Sequence, residues 1–250
     1  MKSDQTRRRF ISVVGAAGIT GLAGCSGGGD AGDEGSETEA DESTEAAEST
    51  EADSGNENTR LSWHAGGTGG TYFPLSNEFK TVVEDNTDFS LNVQSTGASV
   101  ENVGSLTDGS ADFALIQNDI AFFAKNGTGI DAFDGNPIEN LRGVATLYPE
   151  TITVVTLADS NISTLSDLSG KTINTGDLGS GTQVNANQIL EAVGITEFTE
   201  QNAGFSQASE QLANGDIDAA FVVGGWPVGA IEDLATTNDV QIVPIQGENR

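Results

Sequence analysis

Three glycine-rich turns that also carry hydroxyl side chains are the main candidates for binding chemistry in this sequence. They span residues 66–71, 96–99 and 179–182, and each follows a predicted strand and precedes a predicted helix. A helix N-terminus presents unpaired N–H groups and a partial positive charge, so it can hold an anion without a cationic side chain. Because ligands of α/β proteins bind at the carboxyl ends of strands, the turns predict an anion-binding cleft. Capping alone explains one such turn, and for Ser99 and Thr182 both roles stay open.

Catalytic and cofactor-binding motifs are incomplete in this sequence. Residues 170–172, Gly-Lys-Thr, imitate the end of a phosphate-binding loop, but Leu165 stands where the first glycine belongs and a strand follows. Tyr72 occupies the position of the last glycine in a dinucleotide fingerprint. His64 has no evident nucleophile partner, and a single Cys excludes a Cys-rich zinc site. The sequence therefore predicts no enzyme, no cofactor and no metal centre.

Acidic residues dominate the composition. The 250 residues include 38 Asp and Glu against 10 Lys and Arg, which is a formal net charge of −28. A nucleic-acid binder needs a basic surface, so a nucleic-acid partner is excluded, and docking on anionic lipid is disfavoured. Clustered carboxylates keep a surface hydrated where salt screens their repulsion over a few ångströms. Together with the export signal described next, this acidity resembles that of proteins from halophilic archaea.

The first 25 residues are similar to a lipoprotein export signal. Residues 6–11, Thr-Arg-Arg-Arg-Phe-Ile, resemble the twin-arginine motif, and residues 11–24 form an apolar run too short for a stable spanning helix. Residues 22–25, Leu-Ala-Gly-Cys, resemble a lipobox in which Cys25 receives the lipid. The segment predicts twin-arginine export and a lipid anchor on the extracellular face of the cell membrane. The alternative is a chance basic start with a buried Cys.

Residues 26–59 predict a disordered tether. They contain 12 acidic residues, no basic residue and almost no bulky apolar side chain. Such a segment buries too little surface to fold, and its like charges extend it. A spacer between the lipid and the folded domain is the favoured interpretation, with an acidic interaction tail as the alternative.

From residue 60 onward, strand and helix patterns alternate. Apolar residues predict strands at 61–65, 89–94 and 112–116, with a helix after each of the first two. This β-α-β-α-β order implies parallel pairing with helical crossovers. A second unit begins near Leu147. Its predicted strands are 151–158, placed in the middle of a sheet, then 171–175, 217–223 and 240–245, with a helix after residue 182.

A sequence pattern that occurs twice, called here the internal echo, predicts two similar units. Residues 106–114 and 212–220 share the pattern Leu-x-x-Gly-x-x-Asp-x-Ala. In each, the Leu would end a packed helix, the Gly would supply a left-handed cap and the Asp would begin the next strand. The alternative is the ordinary helix–glycine–strand sequence that any α/β protein uses.

Seven motifs stand in order between residues 61 and 245. They lie at 66–74, 94–102, 109–119, 147–150, 165–171, 179–186 and 215–221. Together they resemble the TAXI subfamily of TRAP-transporter solute-binding proteins. The resemblance implies an α/β protein with the type II periplasmic-binding-protein fold, in which two α/β lobes enclose a hinged ligand cleft. The first lobe would be incomplete at the C-terminus, because members of the family continue past the position of Ile245 and return to that lobe.

The resemblance also implies a receptor rather than an enzyme. Family members bind small organic acids, including glutamate-like amino acids and dicarboxylates, and deliver them to the subunits of an ion-driven TRAP-type membrane permease. A ligand-sensing module on the same fold, which signals rather than transports, is the alternative. The implied organisation is an export signal at 1–25, a tether at 26–59, lobe 1 at 60–147, and the hinge with lobe 2 at 148–250.

Ligand contacts are carried over from the resemblance by position. Lobe 1 would contribute Gly69, Gly70, Thr71, Tyr72, Thr96, Gly97, Ala98, Ser99, Asn102, Gln117 and Asp119. The hinge and lobe 2 would contribute Tyr148, Ser180, Gly181, Thr182, Gln183, Asn185 and Trp226. Because cations are few, we expect a carboxylate to be held by helix N-termini and hydroxyl groups instead of an Arg clamp.

Overall fold

The computed structural model describes residues 59–246, so the predicted export signal, Cys25 and nearly all of the predicted tether lie outside the described residues. The described part contains eight strands, six α-helices and a 3₁₀ turn. In chain order they are β1 Thr59–His64, α1 Tyr72–Asn86, β2 Phe89–Gln94, α2 Ser99–Asp108, β3 Phe113–Ala114, α3 Asn118–Asn126, β4 Thr151–Leu157, the 3₁₀ turn Leu165–Leu168, β5 Thr172–Asn174, α4 Gly181–Ala192, β6 Thr199–Gln201, α5 Phe205–Asn214, β7 Ala219–Gly224, α6 Gly229–Thr237 and β8 Val240–Val243. Among these helices, none combines the length and the apolar character needed to cross a membrane.

The first three strands form a parallel sheet in the order β2-β1-β3. Helices α1 and α2 make the crossovers, so the predicted β-α-β-α-β arrangement with parallel pairing is confirmed. Central β1 aligns Leu61 with Leu91 on β2, and Trp63 with Phe113 on β3. Because the three strands point the same way, the turns that follow them meet at one edge of the sheet.

Five strands form the second sheet, in the order β6-β5-β7-β4-β8. Strands β5, β6 and β7 run parallel, whereas β4 pairs antiparallel with both β7 and β8. The predicted position of residues 151–158 inside a sheet is confirmed, since β4 has a neighbour on each side. The sequence pattern misses β6, because its three residues are polar and exposed and show no alternation of apolar side chains.

The internal echo corresponds to a repeated substructure. The segments β1-α1-β2-α2-β3 and β5-α4-β6-α5-β7 have the same order of elements and the same order of strands in their sheets. Gly109 and Gly215 end α2 and α5 in the left-handed conformation, with φ of 81° and 75°. Asp112 and Asp218 each accept a hydrogen bond of 2.8 Å from a backbone N–H of the central strand, β1 or β5. The predicted similarity of the two units is confirmed. In addition, each of the two aspartates links neighbouring strands through its hydrogen bond.

The second sheet carries an apolar core on each face. Val154 and Phe221 pack with side chains of α4, whereas Val155 and Val222 pack with side chains of α5 and α6. All four are fully buried. Neighbouring residues of a strand point to opposite faces, so the continuous apolar runs of β4 and β7 match a sheet that is covered on both sides. A smaller cluster joins α2 to α3 beside the first sheet. These cores fix the strand ends from which the turns start.

Candidate functional site

A cavity lies between lobe 1, the elements from β1 to α3, and lobe 2, the elements from β4 to β8. Both lobes belong to one compact unit of the chain. The empty volume is about 510 Å³, including the opening to solvent. Its walls are formed mainly by turns that follow the parallel strands of both sheets. The lining residues are Gly66, Gly67, Gly70, Thr71, Tyr72, Thr96, Gly97, Ala98, Ser99, Gln117, Glu150, Asp177, Ser180, Gly181, Thr182, Gly204, Phe205 and Val223.

All three glycine-rich turns singled out in the sequence contribute to this wall. The expected ligand contacts that line the cavity are Gly70, Thr71, Tyr72, Thr96, Gly97, Ala98, Ser99, Gln117, Ser180, Gly181 and Thr182. Those that stand outside the wall are Gly69, Asn102, Asp119, Tyr148, Gln183, Asn185 and Trp226. The turns therefore share one cavity, as an inter-lobe binding cleft requires.

Asn102 does not line the cavity, but its side chain holds together the segments that do. Its Nδ2 donates to Ala65 O at 2.7 Å and to Leu115 O at 2.8 Å, and its Oδ1 accepts from Thr96 Oγ1 at 2.7 Å. Ala65 and Leu115 directly follow β1 and β3. The fully buried Asn102 side chain therefore ties two strand ends and the second turn together. By contrast, Trp226 is 55% exposed at the surface.

A polar bridge joins α3 to α4 beside the cavity. Gln117 Nε2 donates to Asn185 Oδ1 at 3.2 Å, and Asn185 Nδ2 donates to Asp119 Oδ2 at 2.7 Å. Gln117 N donates to Ser99 Oγ at 3.1 Å, so the Ser99 hydroxyl fixes the start of the bridge. A Cβ at Gly181 would overlap Gln117 Oε1, so the lobes meet this closely only because residue 181 has no side chain.

The N-terminus of α2 is capped by lobe 2. Val100 N and Glu101 N donate to Gly179 O at 3.0 and 3.1 Å. The N-cap residue is Ala98, whose φ of 71° lies in a region that favours glycine. The Gly179 carbonyl therefore occupies the place where the second turn would offer its first N–H groups to an anion. In this structure those two groups join the lobes.

Other helix N-termini leave amide groups at the cavity wall. Tyr72 N begins α1, Gly181 N and Thr182 N begin α4, and Phe205 N begins α5. None of these N–H groups donates a hydrogen bond to another residue of the described range 59–246. Helix-terminal amides need a side chain, water or a ligand as partner. The wall can therefore donate several hydrogen bonds to an anionic group.

The hydroxyl groups of the turns are largely used by the protein itself. Ser180 Oγ caps α4 by accepting from Gln183 N at 3.0 Å. Thr71 Oγ1, in lobe 1, accepts from Gly225 N, in lobe 2, at 3.0 Å. Thr182 is a buried residue inside the first turn of α4, so Ser180 is the cap of this helix. Because Ser180 Oγ only accepts in these contacts, its O–H remains available to a ligand beside the backbone amides.

The cavity wall contains two carboxylates, Glu150 and Asp177, and within residues 59–246 no Lys or Arg lines it. Tyr148 Oη donates to Glu150 Oε1 at 3.1 Å. Burial raises the pKa of Glu150, against the smaller lowering by hydrogen bonds from Tyr148, Tyr72 and Gln117. Burial, followed by the nearby Glu150 charge, raises the pKa of both tyrosines far above the usual range, so they remain neutral. Within the same residues, no group of three or more His, Cys, Asp or Glu side chains is arranged to hold a metal ion.

Comparison with known proteins identifies the family. The model of the NMT1-like family matches residues 64–250, which is most of the chain. The chain belongs to the NMT1-like family. All of the residues that line the cavity fall within the matched range.

Solved substrate-binding proteins share the architecture of this NMT1-like protein. An ancestral arginine-binding protein bound to arginine gives a TM-score of 0.52 at 16% identity, covering 75% of this chain and 79% of that one. A substrate-binding protein of an ABC uptake transporter from Streptococcus pneumoniae, with bound histidine, gives 0.50 at 20% identity over 77% of each chain. A putative L-cystine ABC transporter from Listeria monocytogenes gives 0.51 at 14% identity, covering 74% and 77%. The predicted type II periplasmic-binding-protein fold is confirmed.

Sequence reasoning misses Glu150, Asp177, Val223 and the pair Gly204 and Phe205 in the wall of this NMT1-like protein. Glu150 belongs to a recognised motif but is not among the expected ligand contacts. The sequence feature that could have identified Glu150 is its position, as an acidic residue, directly before the long buried strand β4. Gly204 and Phe205 begin α5 after β6, the strand that the sequence pattern misses. The repeated substructure could have found them, because the turn after β6 corresponds to residues 96–99 after β2.

Proposed function

We propose that this protein is a solute receptor that binds a small organic acid in the cavity between its lobes. The observation that carries the proposal is the presence, at one cavity, of unpaired amide groups from α1 in lobe 1 and from α4 and α5 in lobe 2. Such helix N-termini hold a carboxylate through N–H donors and partial positive charge. Because a ligand contacts both lobes only when they are shut, its binding stabilises the shut arrangement.

The ligand that we propose is a glutamate-like amino acid or a dicarboxylate, held by the eleven expected residues that line the cavity. The TAXI-like motifs imply this class. Two proteins of the same fold were solved with amino acids bound, one with arginine and one with histidine. A carboxylate is common to all these ligands, and it is the group that helix N-termini recognise.

We further propose that the receptor is lipid-anchored outside the cell membrane and serves an ion-driven permease of the TRAP type. Support comes from the TAXI-like motifs between residues 61 and 245 and from the export-like residues 6–11 and 22–25. A lipid on Cys25 would hold the receptor at the membrane, and residues 26–59 would let lobes 1 and 2 reach the permease.

Isothermal titration calorimetry of the full-length protein tests the binding proposal. The protein is unfolded, dialysed to remove co-purified ligand and refolded, and its fold is checked by circular dichroism. The titrants are L-glutamate, L-glutamine, L-arginine, L-histidine, 2-oxoglutarate and succinate in molar KCl. We expect saturable heat from at least one of them. A folded, ligand-free sample that gives no heat with any of these acids would refute the proposal.

Replacement of Cys25 by Ser tests the anchor. We expect the unmodified chain in the membrane fraction, with a lipid-sized mass increase on Cys25, and the Cys25→Ser protein in the medium. Mass spectrometry of both fractions measures this. Membrane-bound protein with an unmodified Cys25 would contradict the proposed lipidation.

A further inference from the structure

Two helices receive acceptors for amides of their first turn from the opposite lobe. In lobe 1, Val100 N and Glu101 N at the start of α2 donate to Gly179 O of lobe 2, at 3.0 and 3.1 Å. In lobe 2, Ala230 N at the start of α6 donates to Gly69 O of lobe 1, at 3.1 Å. Each lobe therefore supplies a backbone carbonyl that caps a helix of the other lobe, and the arrangement is reciprocal.

Neither of these two helices has a side-chain cap of its own. The N-cap residues are Ala98 for α2 and Val228 for α6, and neither side chain carries a hydrogen-bond acceptor. By comparison, the Ser180 side chain caps α4 within lobe 2. Ser, Thr, Asp or Asn is the usual residue at this position, because its side-chain oxygen accepts from the first turn. When the lobes separate, the amides of α2 and α6 that join them therefore have only water as an alternative acceptor.

The backbones of the two lobes approach this closely because glycine lies at the contacts. A Cβ at Gly69 would stand 3.0 Å from Ser206 N and 3.2 Å from Ala230 Cβ, both in lobe 2. A Cβ at Gly97 would stand 2.7 Å from Leu178 O, also in lobe 2. Gly69 lies outside the cavity wall, so contact with lobe 2 accounts for a glycine at which the family resemblance implies a ligand contact.

We propose that these reciprocal caps form a latch, in which the carbonyls of Gly69 and Gly179 hold the lobes shut in part of the population before a ligand binds. This assignment goes beyond the proposed function, because closure then depends on bonds between the lobes as well as on the ligand. Gly69 and Gly179 are positioning residues, since neither lines the cavity. Apparent affinity scales with the fraction of the protein in the binding-competent arrangement, so the latch strengthens binding.

The distance between the lobes, measured without any ligand, tests the latch. In the full-length chain, Cys25→Ser removes the native thiol, and Asp85→Cys on α1 and Glu210→Cys on α5 place one exposed spin label on each lobe. The protein is unfolded, dialysed and refolded as for calorimetry.

We expect double electron–electron resonance to find at least about a tenth of the molecules at the distance that positions 85 and 210 have in this structure. A single longer distance would overturn the latch and leave the proposed function intact, since no ligand enters this measurement. Conversely, a calorimetric failure of every acid to bind would refute the proposed function without changing this distance.

Gly69→Ala in the spin-labelled chain weakens one cap, and Gly104→Ala is the matched control, because a Cβ at Gly104 meets nothing within 4 Å. We expect the shut fraction to fall at least about threefold in Gly69→Ala and to stay unchanged in Gly104→Ala. Ala230→Pro removes the donor of the same hydrogen bond in the first turn of a helix, where proline is tolerated, and we expect the same fall. An unchanged shut fraction in either folded variant would overturn the role of the Gly69 carbonyl. If neither variant folds, the labelled chain with both glycines intact still decides the question.

Discussion

At the scale of single residues, Gly181 permits the contact between the lobes. Gln117 Oε1 fills the space in which a Cβ at residue 181 would stand, and Gln117 also begins the bridge through Asn185 to Asp119. The sequence predicts Gly181 as a ligand contact because glycine admits a close approach. In the structure, the group that approaches it is a side chain of lobe 1.

Gly181→Ala should weaken ligand binding. The added methyl group displaces Gln117, breaks its hydrogen bond to Asn185 and opposes closure of the lobes, so we expect about a tenfold or larger loss of affinity. Gly104→Ala is the control, since a Cβ there meets nothing within 4 Å. Calorimetry with the tightest-binding acid measures both variants. Equal affinities would show that the bridge does not contribute to closure.

The ionisation of Glu150 predicts that affinity depends on pH. Burial raises the pKa of Glu150, and the titratable groups that face it are Tyr72, Tyr148 and Asp119. Lowering the pH protonates Glu150 and removes a negative charge beside the carboxylates of the proposed ligand. Affinity for an acid such as 2-oxoglutarate should therefore rise as the pH drops through that pKa, starting at a higher pH than for an ordinary Glu. Calorimetry between about pH 8 and about pH 5 measures this, with Glu150→Gln as the control whose affinity does not rise. A flat profile for the unmodified protein would show that the Glu150 charge does not act on the ligand.

At the scale of elements, helix N-termini with similar sequences have different roles. Two amides in the first turn of α2, Val100 N and Glu101 N, donate to Gly179 O across the lobe interface. By contrast, the first amide of each of α1, α4 and α5 has no partner among the described residues. The turn sequences do not distinguish these cases, since each combines small residues with a helix start. The difference arises from the lobe that faces each turn.

In each half of the repeated substructure, an aspartate carboxylate links two neighbouring strands by accepting a backbone hydrogen bond. Asp112 holds the edge of β3 to β1 through Ser62 N, as Asp218 holds β7 to β5. Asp112→Ala removes this acceptor, and we expect the free energy of unfolding to fall by about 1 kcal/mol. Asp216→Ala, at an exposed position, is the control. Chemical denaturation of the two variants measures the difference. Equal free energies of unfolding would mean that water replaces the Asp112 carboxylate as acceptor without loss of stability.

At the scale of the whole molecule, negative charge is largely uncompensated. The formal net charge is −28, and the ion pairs within residues 59–246 are Lys80–Glu84 at 3.9 Å and Lys171–Asp218 at 3.8 Å, both partly exposed. Such exposed ion pairs contribute little to the free energy of unfolding, so added salt has few attractive interactions to weaken. Its main effect is to screen repulsion among carboxylates.

Added salt should therefore stabilise the protein. We expect the melting temperature to rise between 0.1 and 2 M KCl, and a gain of about 1 kcal/mol corresponds to roughly 2–4 °C for a chain of this size. Thermal unfolding followed by circular dichroism at the two concentrations measures it. A lower melting temperature at high salt would contradict the prediction that repulsion dominates.

The amino-acid sequence by itself determined the alternation of strands and helices, the repeated unit marked at residues 106–114 and 212–220, and the glycine-rich turns at the strand ends. These features depend on side-chain periodicity and on backbone preferences that act over a few residues. Only the tertiary structure decided that α2 donates its first amides to Gly179, that Glu150 stands in the cavity wall, and that β4 runs antiparallel to β7. Each of these depends on contacts between segments far apart in the chain, and no local pattern records which distant segment will supply the partner.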